Sequence, residues 1–182
     1  MSTSFPLATG KELGYHRERV DRFLDRARSS YERGDAAGTV SSSEIRRTAF
    51  PLRRHGYSAR FVDAALDRLE EVFFERERRA RVAEIGEEAW WEEIRQLLSD
   101  VRGRLARPAG KRFRRRGLFA SGYRRSEVDA FLDVVAEVIH GSRSLTTAEI
   151  RGVVFHSQWR GYSEDQVDAL LDAVIVLMLS TR

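Results

Sequence analysis

The sequence predicts an all-α protein made of two tandem helical units, each with two long helices and one short helix, joined by a mostly helical linker. Three observations carry this prediction: a short motif that occurs four times, apolar stripes at helical spacing after each copy, and two alternating kinds of upstream segment. With 42% hydrophobic residues, the 182-residue chain has enough apolar side chains for one core or for two small ones.

The repeated motif is a Gly-Tyr pair followed, five residues after the Tyr, by Val-Asp. Its four copies contain Gly14, Tyr15 and Val20; Gly56, Tyr57 and Val62; Gly122, Tyr123 and Val128; and Gly161, Tyr162 and Val167. We predict that each Gly supplies a turn conformation that a side chain would resist, and that Tyr and Val form a hydrophobic staple at a helix start. The aspartates are Asp21, Asp63, Asp129 and Asp168. In the first helical turn they would complement the helix dipole.

The copies alternate in their upstream segments. In the odd copies a Phe precedes the Tyr by ten residues, and in the even copies by seven. Pairing an odd with an even copy gives a first unit at 1–81 and a second at 113–182, with a charge-segregated linker at 82–112.

Within these units, apolar spacing and cap residues predict six helices. They lie near 17–33, 41–49, 58–81, 125–140, 146–154 and 163–180. "SSSE" and "TTAE" begin the short helices, and Ser163 with Gln166 forms a Ser-x-x-Gln capping box at the last long one. The connection 34–57 is long enough to return the chain to its starting end, so the two long helices of a unit should be parallel.

The linker contains "EEAWWEEIRQLLSDVRGRL", whose apolar stripe from Trp90 to Leu105 predicts a helix that packs on a unit or on a second chain, with Trp91 left for a partner. A basic run follows: Lys111, Arg112, Arg114, Arg115 and Arg116. This basic patch is either a solvated linker, a contact for an anionic lipid surface, or a contact for a nucleic-acid backbone.

No catalytic constellation is present in the sequence. Cysteine is absent, which excludes a disulfide framework and a thiolate metal site. The four histidines are dispersed: His16, His55, His140 and His156. We therefore expect a protein that is not an enzyme, with no catalytic residue, no metal site and no cofactor.

Two even-copy segments carry a family resemblance. "LTTAEIRGVVFHSQWRGYSEDQVDALLD" and "SSSEIRRTAFPLRRHGYSARFVDAALD" resemble the N-terminal domain of the DivIVA-type bacterial cell-division and polarity proteins, whose pattern is Thr-x-x-Asp/Glu-Ile, Phe, Arg-Gly-Tyr and Val-Asp/Asn-x-Phe-Leu. The odd copies fit from Gly-Tyr onward. The resemblance implies parallel helix pairing and a non-enzymatic scaffold or adaptor of cell division or polar growth.

The resemblance also implies a membrane contact. In that family an aromatic residue followed by Arg at the loop tip enters the membrane, and Trp159 and Arg160 hold these positions in the fourth copy. The other tips have Arg54 and His55, Glu12 and Leu13, or Ala120 and Ser121. Expected partners are other division or envelope-growth proteins, an anionic membrane surface and a second copy of the chain.

The expected location is cytoplasmic and peripheral to the inner face of the membrane, at the septum or pole. The first 15 residues lack a basic segment followed by an apolar run, so no secretion signal is predicted. The alternative function is a basic helical module that binds nucleic acid through residues 107–125, which we rank below the scaffold.

Overall fold

The computed structural model describes residues 5–33 and 40–181. The chain divides into two compact units, Met1–Glu84 and Ile85–Arg182. Most described residues are helical, as predicted, but four three-residue strands form two small antiparallel sheets, so the all-α prediction is wrong in that detail.

The first unit contains two strands and three helices. In chain order they are β1 (Leu13–Tyr15), α1 (Arg17–Arg33), α2 (Ser42–Arg47), β2 (Leu52–Arg54) and α3 (Ala59–Ile85). The last helix extends beyond its predicted end at residue 81. Ion pairs between residues three or four apart, such as Glu75 with Arg79 and Arg81 with Glu84, support this polar extension, and Gly86 follows it with a φ of 88°.

The two long helices of the first unit run in the same direction. Near their starts, the Tyr57 hydroxyl donates to Asp21 Oδ2 at 3.3 Å. Near the end of α1, the rings of Tyr31 and Phe73 lie 5.7 Å apart, and Arg76 Nη1 donates to the Ser30 carbonyl oxygen at 3.2 Å. The parallel arrangement predicted from the length of the connection is therefore confirmed for this unit.

The core of the first unit lies between these helices and α2. Its buried apolar residues are Val20, Phe23, Ala27, Val40, Ile45, Tyr57, Val62, Leu66 and Phe73. The helix α2 is held to α3 by a buried ion pair between Arg46 and Glu70, 2.7 Å apart. The Ser42 amide and hydroxyl both donate to the Glu77 carboxylate, which fixes the start of α2.

The second unit repeats this arrangement and adds a helix before it. Its elements are α4 (Glu87–Leu105), β3 (Ser121–Tyr123), α5 (Arg125–Ile139), α6 (Thr147–Arg151), β4 (Ser157–Trp159) and α7 (Glu164–Ser180). The segment predicted as a linker does not stand apart from the units. Its residues 82–85 continue α3, and α4 belongs to the second unit. There α4 packs against α5 and α7, with Trp90, Val101 and Leu105 buried.

The predicted helix caps have mixed outcomes. Ser41 accepts from the Glu44 amide, and Thr146 forms a capping box with Glu149, as "SSSE" and "TTAE" predict. The capping box predicted for Ser163 and Gln166 is wrong. Ser163 makes no side-chain cap hydrogen bond. Its amide donates to the Arg114 carbonyl oxygen, and Gln166 Oε1 accepts from the Arg114 amide, both at 2.9 Å.

Candidate interaction surfaces

The two Gly-Tyr pairs of each unit meet in what we call the Gly-Tyr crossing. In the first unit the amides of Tyr15 and Tyr57 each donate to the other's carbonyl oxygen, at 2.8 and 2.9 Å. In the second unit Tyr123 and Tyr162 do the same at 3.1 and 2.9 Å. Beside them β1 pairs with β2 and β3 with β4. Each small sheet is therefore built from one strand of each copy.

The glycines of the motif are required by close backbone approach. A Cβ on Gly14 would lie 2.6 Å from the Gly56 carbonyl carbon, and a Cβ on Gly161 would lie 2.6 Å from that of Gly122. None of these four glycines has a positive φ. The predicted turn conformation is therefore wrong. In the even copies the residue with positive φ is instead the one just before the Gly, His55 or Arg160.

Within each unit, the Tyr of one motif copy contacts the Asp of the other copy, an arrangement that we call the Tyr–Asp exchange. The Tyr57 hydroxyl bonds to Asp21 of the other copy, and the Tyr162 hydroxyl lies 3.1 Å from both carboxylate oxygens of Asp129. In the reverse direction, Tyr15 interacts with Asp63 and Tyr123 with Asp168. The spacing within one copy predicts the place of each Asp in a first helical turn, but it does not show that the Asp is also the partner of the other copy's Tyr.

This exchange changes the electrostatics of the phenols. Burial and the nearby Asp168 carboxylate raise the pKa of Tyr123 to about 12. Burial, followed by Asp63, raises the pKa of Tyr15 above its usual value. Burial is also the main cause of the raised pKa of Tyr162, where Asp129 adds to the effect. At neutral pH these phenols are therefore protonated and can donate hydrogen bonds to the aspartates.

Two turns lie side by side at the tip of the second unit, which we define as residues 117–120 and 159–160. The Ala120 amide donates to the Gly117 carbonyl oxygen, and the Arg160 amide donates to the Ala120 carbonyl oxygen at 3.1 Å. Trp159 is 58% exposed, Leu118 62% and Phe119 91%. The tip thus presents three apolar side chains next to the exposed Arg160.

Trp159 and Arg160 are candidates from the sequence, whereas Leu118 and Phe119 become candidates only in the structure. Their signal in the sequence is "RRRGLFASGY", where two large apolar residues follow a basic run and belong to no helical stripe. The structure brings them beside Trp159 because Ser121 and Trp159 are partners in the β3 and β4 pairing.

The tip of the first unit, residues 9–12 and 54–55, has a different chemistry. The Glu12 amide donates to the Thr9 carbonyl oxygen, which forms the same turn as in the second unit. Lys11 stands where Phe119 stands in the second unit, and Arg54 stands where Trp159 does. This tip is exposed and charged rather than apolar.

The basic run 111–116 is partly built into the second unit. Arg112 is buried, and its guanidinium donates to the Asp129 carbonyl oxygen at 2.7 Å and to Asp133 Oδ1 at 2.5 Å. It is therefore a structural residue and not part of a surface patch. Arg116 is half-buried, and its amide donates to the Gly161 carbonyl oxygen. The exposed members of the run are Lys111, Arg114 and Arg115.

Residues 5–33 and 40–181 contain no group of three or more His, Cys, Asp or Glu side chains arranged to hold a metal ion. Among the same residues, no helix is both long and apolar enough to cross a membrane. The helix predicted in the linker, α4, packs on its own unit. Its extra aromatic residue, Trp91, is half-buried against Trp90, with ring centroids 4.6 Å apart.

No protein-family model, curated protein or solved structure matches this chain significantly.

Proposed function

We propose that the protein is a non-enzymatic scaffold or adaptor of bacterial cell division or polar growth, which contacts an anionic membrane surface through the tip of its second unit. The observation that carries the membrane contact is the cluster of Leu118, Phe119 and Trp159 at that tip, all more than half exposed and next to Arg160. The assignment to division or polar growth depends on the resemblance of the repeats to the DivIVA-type family.

The chemistry of the tip fits the interface of a bilayer. Aromatic side chains place an apolar body at the level of the headgroups, and basic residues near an anionic leaflet contribute on the order of 1 kcal/mol each. Arg114 and Arg115 are exposed on the segment that leads into the tip. The apolar residues and the cations together supply the two weak signals that reversible membrane binding needs.

Vesicle co-sedimentation tests this proposal. We expect the full chain to sediment with vesicles of phosphatidylglycerol and phosphatidylcholine, and less with phosphatidylcholine alone. Replacing both Phe119→Ala and Trp159→Ala should weaken binding on the order of tenfold, because even partial insertion of two rings removes more than about 50 Å² of apolar surface from water. The matched control is Leu13→Ala with Leu52→Ala, two half-exposed apolar residues of the first unit.

Equal sedimentation of the Phe119 and Trp159 double variant and the wild type would remove the membrane contact from the proposal. A fluorescent fusion in the native host tests the cellular role separately. Foci at the septum or pole are expected, and a diffuse or nucleoid signal would contradict a role in division or polar growth.

Nucleic-acid binding is the second candidate, supported by the exposed side chains of Lys111, Arg114 and Arg115. Phosphate contacts of this kind weaken steeply as salt rises. A salt-dependent shift of duplex DNA that is lost on Arg114→Glu with Arg115→Glu would favour this candidate over the scaffold. Because Arg112 is buried, it is kept unchanged in this variant.

A further inference from the structure

One face of the helix pair in the second unit is covered by α4. This helix contacts both α5 and α7, and its Trp90, Val101 and Leu105 are buried. At the end near the crossing, the Arg104 guanidinium lies 5.4 Å from the centroid of the Phe113 ring, which packs edge-on against Tyr162. An amphipathic helix is therefore a natural occupant of this face.

The corresponding face of the first unit is an open groove of about 610 Å³ between α1 and α3. Phe5 lies at its end near the crossing and packs edge-on against Tyr57, as Phe113 packs against Tyr162 in the second unit. The groove is lined mainly by apolar side chains. Those from the two helices are Leu24, Ala27, Tyr31, Phe61, Ala64, Ala65, Leu69 and Val72.

Equivalent positions, counted from the Tyr of each motif copy, differ in exposure between the two units. Leu132, nine residues after Tyr123, is fully buried, whereas Leu24, nine residues after Tyr15, is only partly buried. Leu177, 15 residues after Tyr162, is 8% exposed. Its counterpart Val72 is 47% exposed. Equivalent apolar positions are thus covered in one unit and uncovered in the other.

The lining of the groove also defines what would fit it. Ala27, Ala64 and Ala65 leave room for large apolar side chains, such as the Trp and Leu residues that α4 brings to the second unit. The charged residues of the lining are Arg28, Arg68 and Glu32, so positive charge exceeds negative charge. Within residues 5–33 and 40–181, neither Arg28 nor Arg68 has a hydrogen-bonded or ion-paired partner.

We infer that the groove of the first unit is a docking site for an amphipathic helix of a partner protein, with bulky apolar residues on one face and acidic residues beside them. This inference deepens the proposed adaptor function and depends on it for its cellular meaning. The first unit can bind a partner helix at this face, whereas α4 already occupies the corresponding face of the second unit. Helix-in-groove recognition of this kind uses anchors at i, i+3, i+4 and i+7.

The test uses a fluorescent peptide with the sequence of α4, residues 87–105, which combines a Trp pair, an apolar stripe and four glutamates in its first half. Anisotropy measures its binding to the full chain. We expect saturable binding that Ala64→Glu weakens at least tenfold, because a carboxylate would be placed in an apolar groove next to the acidic helix. The matched control is Ala80→Glu, an exposed position on the same helix outside the groove, which should bind like the wild type.

A second peptide tests the charge argument. Replacing Glu88, Glu92 and Glu93 by Gln should weaken binding several-fold and reduce its dependence on salt, because Arg28 and Arg68 then lose their electrostatic partners. Arg28→Glu with Arg68→Glu in the protein should have the same effect on the unmodified peptide. A peptide that binds equally well with and without these charges would contradict an acidic partner.

Three results would overturn the inference: no saturable binding, equal binding by the wild type and Ala64→Glu, or a dimer in sedimentation that Ala64→Glu abolishes. The last result would mean that a second copy of the chain covers the groove. Circular dichroism of Ala64→Glu, at an exposed position, checks that the variant is folded. No membrane is present in these measurements, so a failure of vesicle binding or of septal localisation leaves their outcome unchanged.

Discussion

The two units share the Gly-Tyr crossing and the helix pair, but they differ at the tip and on one face of the helix pair. In the second unit α4 covers one face of the helix pair, and the tip carries Leu118, Phe119 and Trp159. In the first unit the same face is an open groove, and the tip is charged. The crossing maintains the fold in both, so the tips and faces could take on different chemistry without changing it.

The largest effect is expected from substitutions at the Gly-Tyr crossing, which both units share. Gly161→Ala should lower the free energy of unfolding of the second unit by about 3 kcal/mol or more, because the new Cβ would overlap backbone that cannot move aside. Gly56→Ala should do the same to the first unit. Urea unfolding followed by circular dichroism measures the loss, and hydrogen exchange shows which unit is affected.

The control for these glycine variants is Gly103→Ala in α4, where a Cβ would meet no atom within 4 Å. In a helix interior this change should stabilise by up to about 1 kcal/mol. A Gly161→Ala protein as stable as the wild type would contradict the close approach of the two backbones at the crossing.

A smaller effect is expected from truncating a leucine at the covered face or at the open groove. Leu132→Ala should cost about 2–5 kcal/mol, because it creates a cavity beneath α4. Leu24→Ala removes the equivalent side chain from the edge of the open groove and should cost less than half as much, since water can fill the space. Equal losses in urea unfolding would mean that the two faces are equally covered.

The smallest effect is in the pH dependence of the Tyr–Asp exchange. The pKa of Tyr123 is raised to about 12 in the folded protein, so its contribution to stability is present below pH 10 and is lost as the pH rises toward 12. The melting temperature of the second unit should therefore fall over this range. Tyr123→Phe removes the ionising group and should flatten this part of the profile; an unchanged profile would contradict a role for Tyr123.

Helices and repeats were predictable because they depend on local patterns. The start of α1 at Arg17, the caps at Ser41 and Thr146 and the parallel direction of α1 and α3 follow from spacing, cap chemistry and connection length. The strands could not be predicted, because three-residue strands pair only with a partner about 40 residues away along the chain.

The surfaces were less predictable for a related reason. Leu118 and Phe119 become part of a tip only because the turn that contains them lies beside Arg160. Arg112 resembles its basic neighbours in sequence, but its burial depends on Asp129 and Asp133 from α5. The exchange of Tyr and Asp between copies likewise depends on how two distant segments cross, which no single copy of the motif encodes.

The crossing also bears on how the protein behaves on dilution. In a protein with one Gly-Tyr copy per chain, the same backbone hydrogen bonds would join two chains, and this dimer would dissociate as the concentration falls. Here the sister copy is attached through the chain itself, and short connections hold their ends at effective concentrations of order millimolar. Each helix pair should therefore stay assembled even at high dilution. The two copies also need not be identical, so one chain can present an asymmetric pair of surfaces that a symmetric dimer could not.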